Sequence, residues 1–445
     1  MTTVSCRLMS RMFIAIWLLA ACCVSGAAAQ NSTPGDAQGG SLLLTGARML
    51  DVEAGQLRGQ VNVAIEGNRI AAIGESARNR SQQAETIDLT GYVILPGMID
   101  LHSHLLLHPY DEATWNDQVL VEPLELRTIR GVRHAEATLA AGFTTLRDLG
   151  TEGAAFADVA IRDAIREGII PGPRVFAVTK ALVTTGGYGP AGFDPRWRMP
   201  KGAQVADGVD GVKIAVREQI AAGADWIKVY ADYRRKPGDP STPTYSQEEL
   251  TAIVDEATSA GVPVAAHATT VEGMRRAVLA GVKTIEHGYQ ADEEVLQLMK
   301  EHNVFLCPTL TASESMARYS GWKPGEPDHQ RITDAKELMR KALAIGVPIA
   351  NGSDVGVFTH GDNARELELM HDYGMPTNDV LRTATTFAAK VLDREGELGI
   401  IRDGAYADIV AIRGNPLENI SALRDVVLVI KNGEVVIDRR DTAPQ

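Results

Sequence analysis

From Pro96 to about Leu392 the chain alternates short apolar runs with longer stretches in which apolar residues recur every three or four positions. The first pattern predicts strands, the second amphipathic helices. Eight strands are expected, at Met98–His104, Thr144–Leu149, Arg174–Val178, Trp226–Tyr230, Val262–Ala268, Thr284–His287, Val304–Leu310 and Val347–Asp354. Helices are expected between several of them, for example at Glu125–Ala141, Val212–Ala222, Gln247–Ala260, Val271–Ala280, Glu293–His302 and Asp334–Ile345. Gly142, Gly223, Gly261, Gly281 and Gly346 follow such helices, where a left-handed cap stops them. Strand–helix alternation of this kind means a parallel sheet, either a closed (β/α)8 barrel or an open doubly wound sheet. No G-x-G-x-x-G follows the first strand, which weighs against a dinucleotide-binding sheet. No internal repeat is visible.

The two ends have a different texture. Leu42-Leu43-Leu44, Val61 to Ile65 and Arg69 to Ile73 are short β-rich runs, with Glu66-Gly67-Asn68 as a hairpin loop between the last two. Ala407 to Ile412 and Val426 to Ile430 repeat the pattern near the C-terminus, and Asn432-Gly433 turns the latter into Glu434 to Ile437. The expected organisation is one composite β domain from residues 41–95 and 393–445 around a 96–392 barrel; two separate β caps are the alternative.

Charge and cysteine usage change the picture at the N-terminus. Arg7 and Arg11, the apolar run Phe13 to Val24 and Ala27-Ala28-Ala29 before Gln30 form a secretory signal over residues 1–29, too short to span a membrane with flanks. Leu19-Ala20-Ala21-Cys22 offers a second reading, lipidation at Cys22. Either sends the protein out of the cytoplasm, to the periplasm or the medium. Residues 30–40, rich in Gly, Ser, Pro and Asn, are expected to be a disordered leader. Cys6, Cys22 and Cys23 fall in the signal, leaving Cys307 alone and no disulfide framework. Losing Arg7 and Arg11 takes the formal charge from −13 to −15, which argues against nucleic acid or an anionic membrane as partner.

Candidate chemistry lies at the ends of the expected strands, where barrel active sites are built. In Met98 to His104 the histidines stand at i and i+2, so His102 and His104 share a face. Lys228 lies in the fourth strand, His267 in the fifth, His287 ends the sixth and Asp354 ends the eighth. Singly, each has a bland explanation in a core histidine, a capping aspartate or a snorkelling lysine. Together they would place six polar groups on one rim. Neutral imidazoles and a carboxylate suit zinc or its neighbours. Lys228 becomes a ligand only if carbon dioxide converts its neutral amine to a carbamate, whose two oxygens could bridge two cations. A water shared by two cations ionises near neutral pH and becomes a nucleophile.

The set His102-x-His104, Lys228, His267, His287 and Asp354 resembles the binuclear amidohydrolase superfamily. It is similar to the imidazolonepropionase-like subgroup that includes Xaa-Pro dipeptidases and ochratoxin-hydrolysing amidohydrolases. The motifs that carry the resemblance are Leu95 to His104, Ala141 to Asp148, Thr284 to Gly288, Asn351-Gly352-Ser353-Asp354 and Gly404 to Val410. The resemblance implies a TIM barrel with a composite β-sandwich from both chain ends. It implies one metal ion, of zinc type, on His102, His104 and Asp354, and a second on His267 and His287, with carboxylated Lys228 bridging. Asp354 would pass a proton from the bridging water to the leaving amine, and the assembly would be a homo-oligomer, often an octamer.

One motif departs from the subgroup. Many relatives carry T-G-G-H after the third strand, and this chain has Thr185-Gly186-Gly187-Tyr188. Tyr188, Tyr230 (on the face of Lys228) and His360 are the candidate substrate contacts, and Arg147-Asp148 is expected to be a structural ion pair. His108, His134, His302, His329 and His371 take no rim position. The expected activity is hydrolysis of a small N-acyl amino acid or dipeptide with a free C-terminal carboxylate. The alternatives are a hydrolase of cyclic amides or lactones and a non-catalytic binding protein on the same barrel.

Overall fold

Five strands open the chain: β1 (Ser41–Asp51), β2 (Gln56–Glu66), β3 (Arg69–Ile73), β4 (Glu85–Asp88) and β5 (Val93–Pro96). The structure, a computed structural model, describes residues 40–80, 83–194 and 196–441. The expected signal peptide, and all but the last residue of the leader, lie outside the described residues.

The middle of the chain supplies β6 (Met98–Ser103), β7 (Phe143–Asp148), β8 (Arg174–Ala177), β9 (Leu182–Val183), β10 (Gln204–Val205) and β11 (Ile227–Tyr230). A small hairpin follows, β12 (Asp232–Arg234) with β13 (Ser241–Pro243), and then β14 (Val264–Ala268), β15 (Thr284–His287) and β16 (Phe305–Cys307). Ladders β6-β7-β8 and β11-β14-β15-β16 are parallel, with helices between. The expected helices are present at Leu124–Ala140, Gly208–Ala221, Gln247–Ser259, Val271–Ala280, Glu293–Glu301 and Gln330–Ile345. The helix Gln247–Ser259 shows how local sequence sets its start: Ser246 Oγ accepts from Glu249 N, and Glu249 Oε2 accepts from Ser246 N.

The architecture is α/β and barrel-like, but the expected closed eight-stranded ladder is not what is found. The strands form separate arcs, one of three strands and one of six. The segment expected as the eighth strand touches β16 through the bridge Leu306↔Ile349 and β6 through Ser103↔Val355. Between those points Ser353 N donates to the Asp100 carboxylate rather than to a backbone carbonyl, which interrupts the ladder. At the other join, Asp225 N donates to Ala177 O at 2.7 Å and Trp226 N to the same oxygen at 3.3 Å.

The C-terminal strands are β17 (Ile409–Ile412), β18 (Val426–Lys431) and β19 (Glu434–Asp438). They join the N-terminal strands in one sheet of order β19-β18-β17-β5-β1-β2-β3, with β4 on β1. β5 pairs with β1 on one side and β17 on the other, so the ladder is continuous where two packed sheets were expected. Leu44, Ile65, Ile94, Ile409 and Leu428 share its apolar core. Gly97 N donates to Asp408 O at 2.8 Å, tying this sheet to the start of β6. Among the described residues no helix is long and apolar enough to cross a membrane.

Candidate metal centre

β6 presents His102 at its end and His104 just beyond it. The segment Asn351 to Asp354 is laid against that strand by its own side chains. Asn351 Nδ2 donates to Ile99 O at 2.9 Å, Leu101 N donates to Asn351 O at 3.0 Å, and Asp354 N donates to His102 O at 2.7 Å. Gly352 permits the approach, since a Cβ there would stand 3.0 Å from the His102 Cβ and 3.1 Å from the Cys307 Cβ. Ser353 donates through N and Oγ to Asp100, which also accepts from His102 N and Asn363 Nδ2. Asp354 Oδ1 thereby reaches 3.5 Å from His102 Nε2 and 3.3 Å from His104 Nε2. One ligating atom from each of His102, His104 and Asp354 lies within 4.8 Å of the others, which suits a single cation.

The second ring nitrogens are already engaged. His102 Nδ1 meets Glu286 Oε2 at 2.8 Å and His104 Nδ1 meets the Gly150 carbonyl at 2.9 Å. Such partners fix ring orientation and leave Nε2 for a cation. Glu286 is fully buried and is itself held by Arg147 Nη2 at 2.8 Å and by Thr284 Oγ1. The expected Arg147–Asp148 pair is therefore not formed. Adjacent strand residues face opposite sides: Arg147 turns to Glu286 and the Leu101 carbonyl, and Asp148 accepts from Leu105 N and Gly150 N.

His287 and His267 extend the row of imidazoles. Ring centroids are 5.3 Å apart for His104 and His102, 5.1 Å for His102 and His287, and 4.6 Å for His287 and His267. His287 Nδ1 meets Thr309 Oγ1 at 2.8 Å, and the Tyr289 hydroxyl meets the same Thr309 oxygen at 2.7 Å. His267 Nε2 stands 3.7 Å from Asp232 Oδ1, a carboxylate occupied by Thr269 and Thr270. Lys228 is buried, and among the described residues nothing hydrogen-bonds or ion-pairs with its ammonium. A buried amine without hydrogen bond or ion pair, 5.8 Å over the Tyr230 ring, fits conversion to a carbamate, which would supply the anionic ligand that His267 and His287 lack. Left-handed backbone at non-glycine residues gathers here as well: φ is 74° at His287, 64° at Asp354, 50° at Thr309 and 49° at Glu152. Such strain, about 1–3 kcal/mol per residue, persists where the surroundings over-determine it.

Electrostatics favour the ligand form of most of these groups. Burial, with the charge of Lys228 as a contributor, holds His102, His267 and His287 well below the usual histidine range, so they are neutral donors. Burial also acts against the His104 imidazolium, but Asp354 outweighs it and pushes His104 up to about 9. The Asp354 carboxyl is lowered despite its burial, by His102 and His104. Burial lowers Lys228, towards the neutral amine that attack on carbon dioxide requires.

The expected substrate contacts divide. Tyr230 lies between two rings, stacked on His267 at 4.4 Å and on Tyr188 at 4.5 Å, and among the described residues its hydroxyl has no partner. Tyr188 donates its hydroxyl to Glu152, which also accepts from Trp115 Nε1 at 2.8 Å. Tyr233 stands edge-on to both tyrosines. His360 does not join them. It is buried, stacked on His134 at 4.1 Å, and its Nε2 meets the Leu107 carbonyl at 3.0 Å. Glu286, Asp100, Glu152 and Thr309 are the residues sequence reasoning passed over.

Comparison with known proteins identifies the family. The model of the Amidohydrolase family matches residues 93–436. Ochratoxinase from Aspergillus niger is 33% identical over 375 residues, covering 77% of this chain and 75% of its own. A crystal structure of a Xaa-Pro dipeptidase with methionine bound in its active site is 33% identical, covering 89% of this chain and 100% of that one, with a TM-score of 0.80. Imidazolonepropionase from Streptomyces coelicolor is 24% identical over 379 residues, covering 79% of this chain and 84% of its own.

Proposed function

The chain belongs to the amidohydrolase family and is a hydrolase acting on amide bonds, and within that class we propose a binuclear, metal-dependent enzyme that cleaves small N-acyl amino acids or dipeptides. The observation that carries this reading is the buried His102–His104–Asp354 cluster beside His267, His287 and a buried Lys228 that has no hydrogen bond or ion pair among the described residues. A pair of divalent cations, of zinc type, would when bound polarise the scissile carbonyl and acidify water. His102, His104 and Asp354 would hold one, His267 and His287 the other, with the Lys228 carbamate between them.

The chain's own groups account for the remaining steps. Asp354 takes the proton of the attacking water on a carboxylate oxygen and delivers it to the leaving amine nitrogen, so that nitrogen departs as an amine. Glu286 and Gly150 keep the two imidazoles in register while charge shifts. Tyr230 offers its hydroxyl to the substrate, and Glu152 fixes Tyr188 as the wall behind it. Ochratoxinase and the Xaa-Pro dipeptidase point to two substrate families, N-acylated phenylalanine and Xaa-Pro dipeptides. Export rests on Arg7, Arg11, the apolar run that follows and Ala27-Ala28-Ala29. A homo-oligomer, up to an octamer, rests on family resemblance.

The test is turnover. Protein beginning at Gln30, loaded with zinc in bicarbonate, is mixed with Xaa-Pro and other dipeptides, N-acyl amino acids and ochratoxin A. Chelator-sensitive release of a free amino acid is expected by mass spectrometry. Protein holding two cations that cleaves none of these amides would overturn the reading.

A further inference from the structure

Two cavities open side by side over the row of imidazoles. One, of about 160 Å³, is lined by His267, His287 and Asp354 at its floor. The other, of about 400 Å³, continues outward between β12 and the start of the helix Gln330–Ile345. His267, Tyr289, Ser313 and Arg331 belong to both, so the two form one cleft.

The cleft's walls carry unspent positive charge. Arg331 is exposed, and among the described residues its guanidinium has no hydrogen-bond or ion-pair partner. Arg234 lines the outer cavity, resting 5.0 Å over the Tyr233 ring, and its guanidinium likewise has no carboxylate. Most other arginines in this acidic chain are tied to carboxylates or carbonyls, as Arg217, Arg340 and Arg365 are. One carboxylate, Asp334, also lines the outer cavity, and it accepts from Gln330 Nε2 at 2.8 Å. Two guanidinium groups against one carboxylate leave the outer cleft receptive to an anion, in a protein whose formal charge is −13.

We propose that Arg331, assisted by Arg234, is the receptor for the substrate's free carboxylate and sets a preference for anionic over neutral amides. The inference rests on the amide-hydrolase reading for its choice of ligand. In an N-acyl amino acid the carboxylate carbon is three bonds from the scissile carbonyl carbon. With the carbonyl over the imidazoles and Asp354, the carboxylate points towards Arg331, which shares the small inner cavity. Arg331 donates to it through a bidentate fork, and Arg234 supplies charge from the facing wall. Tyr230, deeper in the site, is left for the carbonyl side of the substrate.

The test uses N-acetyl-L-phenylalanine and its primary amide, with two readouts: calorimetric binding to the chelator-treated full chain and hydrolysis by the zinc-loaded protein. The acid is expected to bind, and to turn over in kcat/KM, at least about tenfold better than the amide. That preference should collapse in Arg331→Ala, shrink in Arg234→Ala and survive in part in Arg331→Lys, with the change residing in KM. Equal handling of acid and amide by the unmodified protein, or a preference unchanged in both alanine variants, would overturn the subsite. Acid-preferring binding without hydrolysis would keep the subsite and remove N-acyl amino acids from the proposed substrates; hydrolysis of both ligands alike would do the reverse.

Discussion

His102 and His104 aim Nε2 at one shared carboxylate, and each has its other nitrogen held, by Glu286 and by the Gly150 carbonyl. His267 and His287 share no carboxylate. Their supports are a hydroxyl on Thr309 and an aspartate, Asp232, already occupied by Thr269 and Thr270. Beside them lies Lys228, buried and without a hydrogen bond or ion pair among the described residues. The first half of the centre therefore carries its own anionic ligand as the chain folds, and a cation there has only to displace the proton that Asp354 holds on His104. The second presents two neutral donors and a positive charge, and becomes hospitable to a cation only when that charge is reversed. A carbamate on Lys228 does this with one covalent change.

The largest effects should fall on the residues that define the two halves. Asp354→Asn is expected to lower kcat by on the order of 10²–10⁴-fold while most of the bound cation remains, measured by steady-state kinetics beside metal analysis. Lys228→Ala should lose a comparable share of activity but also one of the two cations, and added propionate should restore part of both by standing in for the carbamate. Parallel loss of metal in the two variants would erase the contrast between the halves.

Weaker changes sharpen it. Glu286→Gln should cost about 10–100-fold in cation affinity, because His102 loses its anionic support, and Arg147 is left without its partner. Thr309→Val removes only a hydroxyl from His287 and should cost about fivefold, corresponding to ~1 kcal/mol for one hydrogen bond. Competitive chelator titrations rank the two, and an equal loss would mean the halves are equally supported.

A separate effect, on the fold and not on the centre, is the dependence of stability on pH. Burial holds Glu366 neutral up to about 8, from an ordinary 4.5, although Leu310 N and Thr311 N favour its ionised form. A carboxyl raised on folding contributes stability that is complete below about 4.5 and is lost as pH climbs through about 8. The Tm of the chelated protein should therefore decline more steeply across that window in the unmodified chain than in Glu366→Gln, as read by calorimetry.

Much of the scaffold was legible from periodicity alone. The helices fall within a few residues of their expected ends, and the ligand candidates come together because strand ends of a parallel sheet share one edge. The residues missed were those acting through others. Asp100 and Glu286 sit inside apolar strands, and an acid in such a place is paired, but its partners come from distant strands that the sequence does not align. Arg147-Asp148 misled because neighbours in sequence were read as neighbours in space, against the two-residue alternation of a strand. His360 looked like a rim residue from its closeness in sequence to Asp354, yet its ring is buried, stacked on His134 and held at the Leu107 carbonyl. The interrupted eighth strand reflects a choice between ladder and site: Ser353 serves Asp100, not the sheet.

Carbon-13 spectroscopy of the zinc-loaded protein in labelled bicarbonate tests the central claim most directly, with metal analysis on the same sample. The account predicts a single lysine carbamate resonance with two cations per chain, the resonance vanishing and the count falling to one in Lys228→Met. Two tightly held cations per chain with no carbamate signal, or a signal that persists in Lys228→Met, would contradict it.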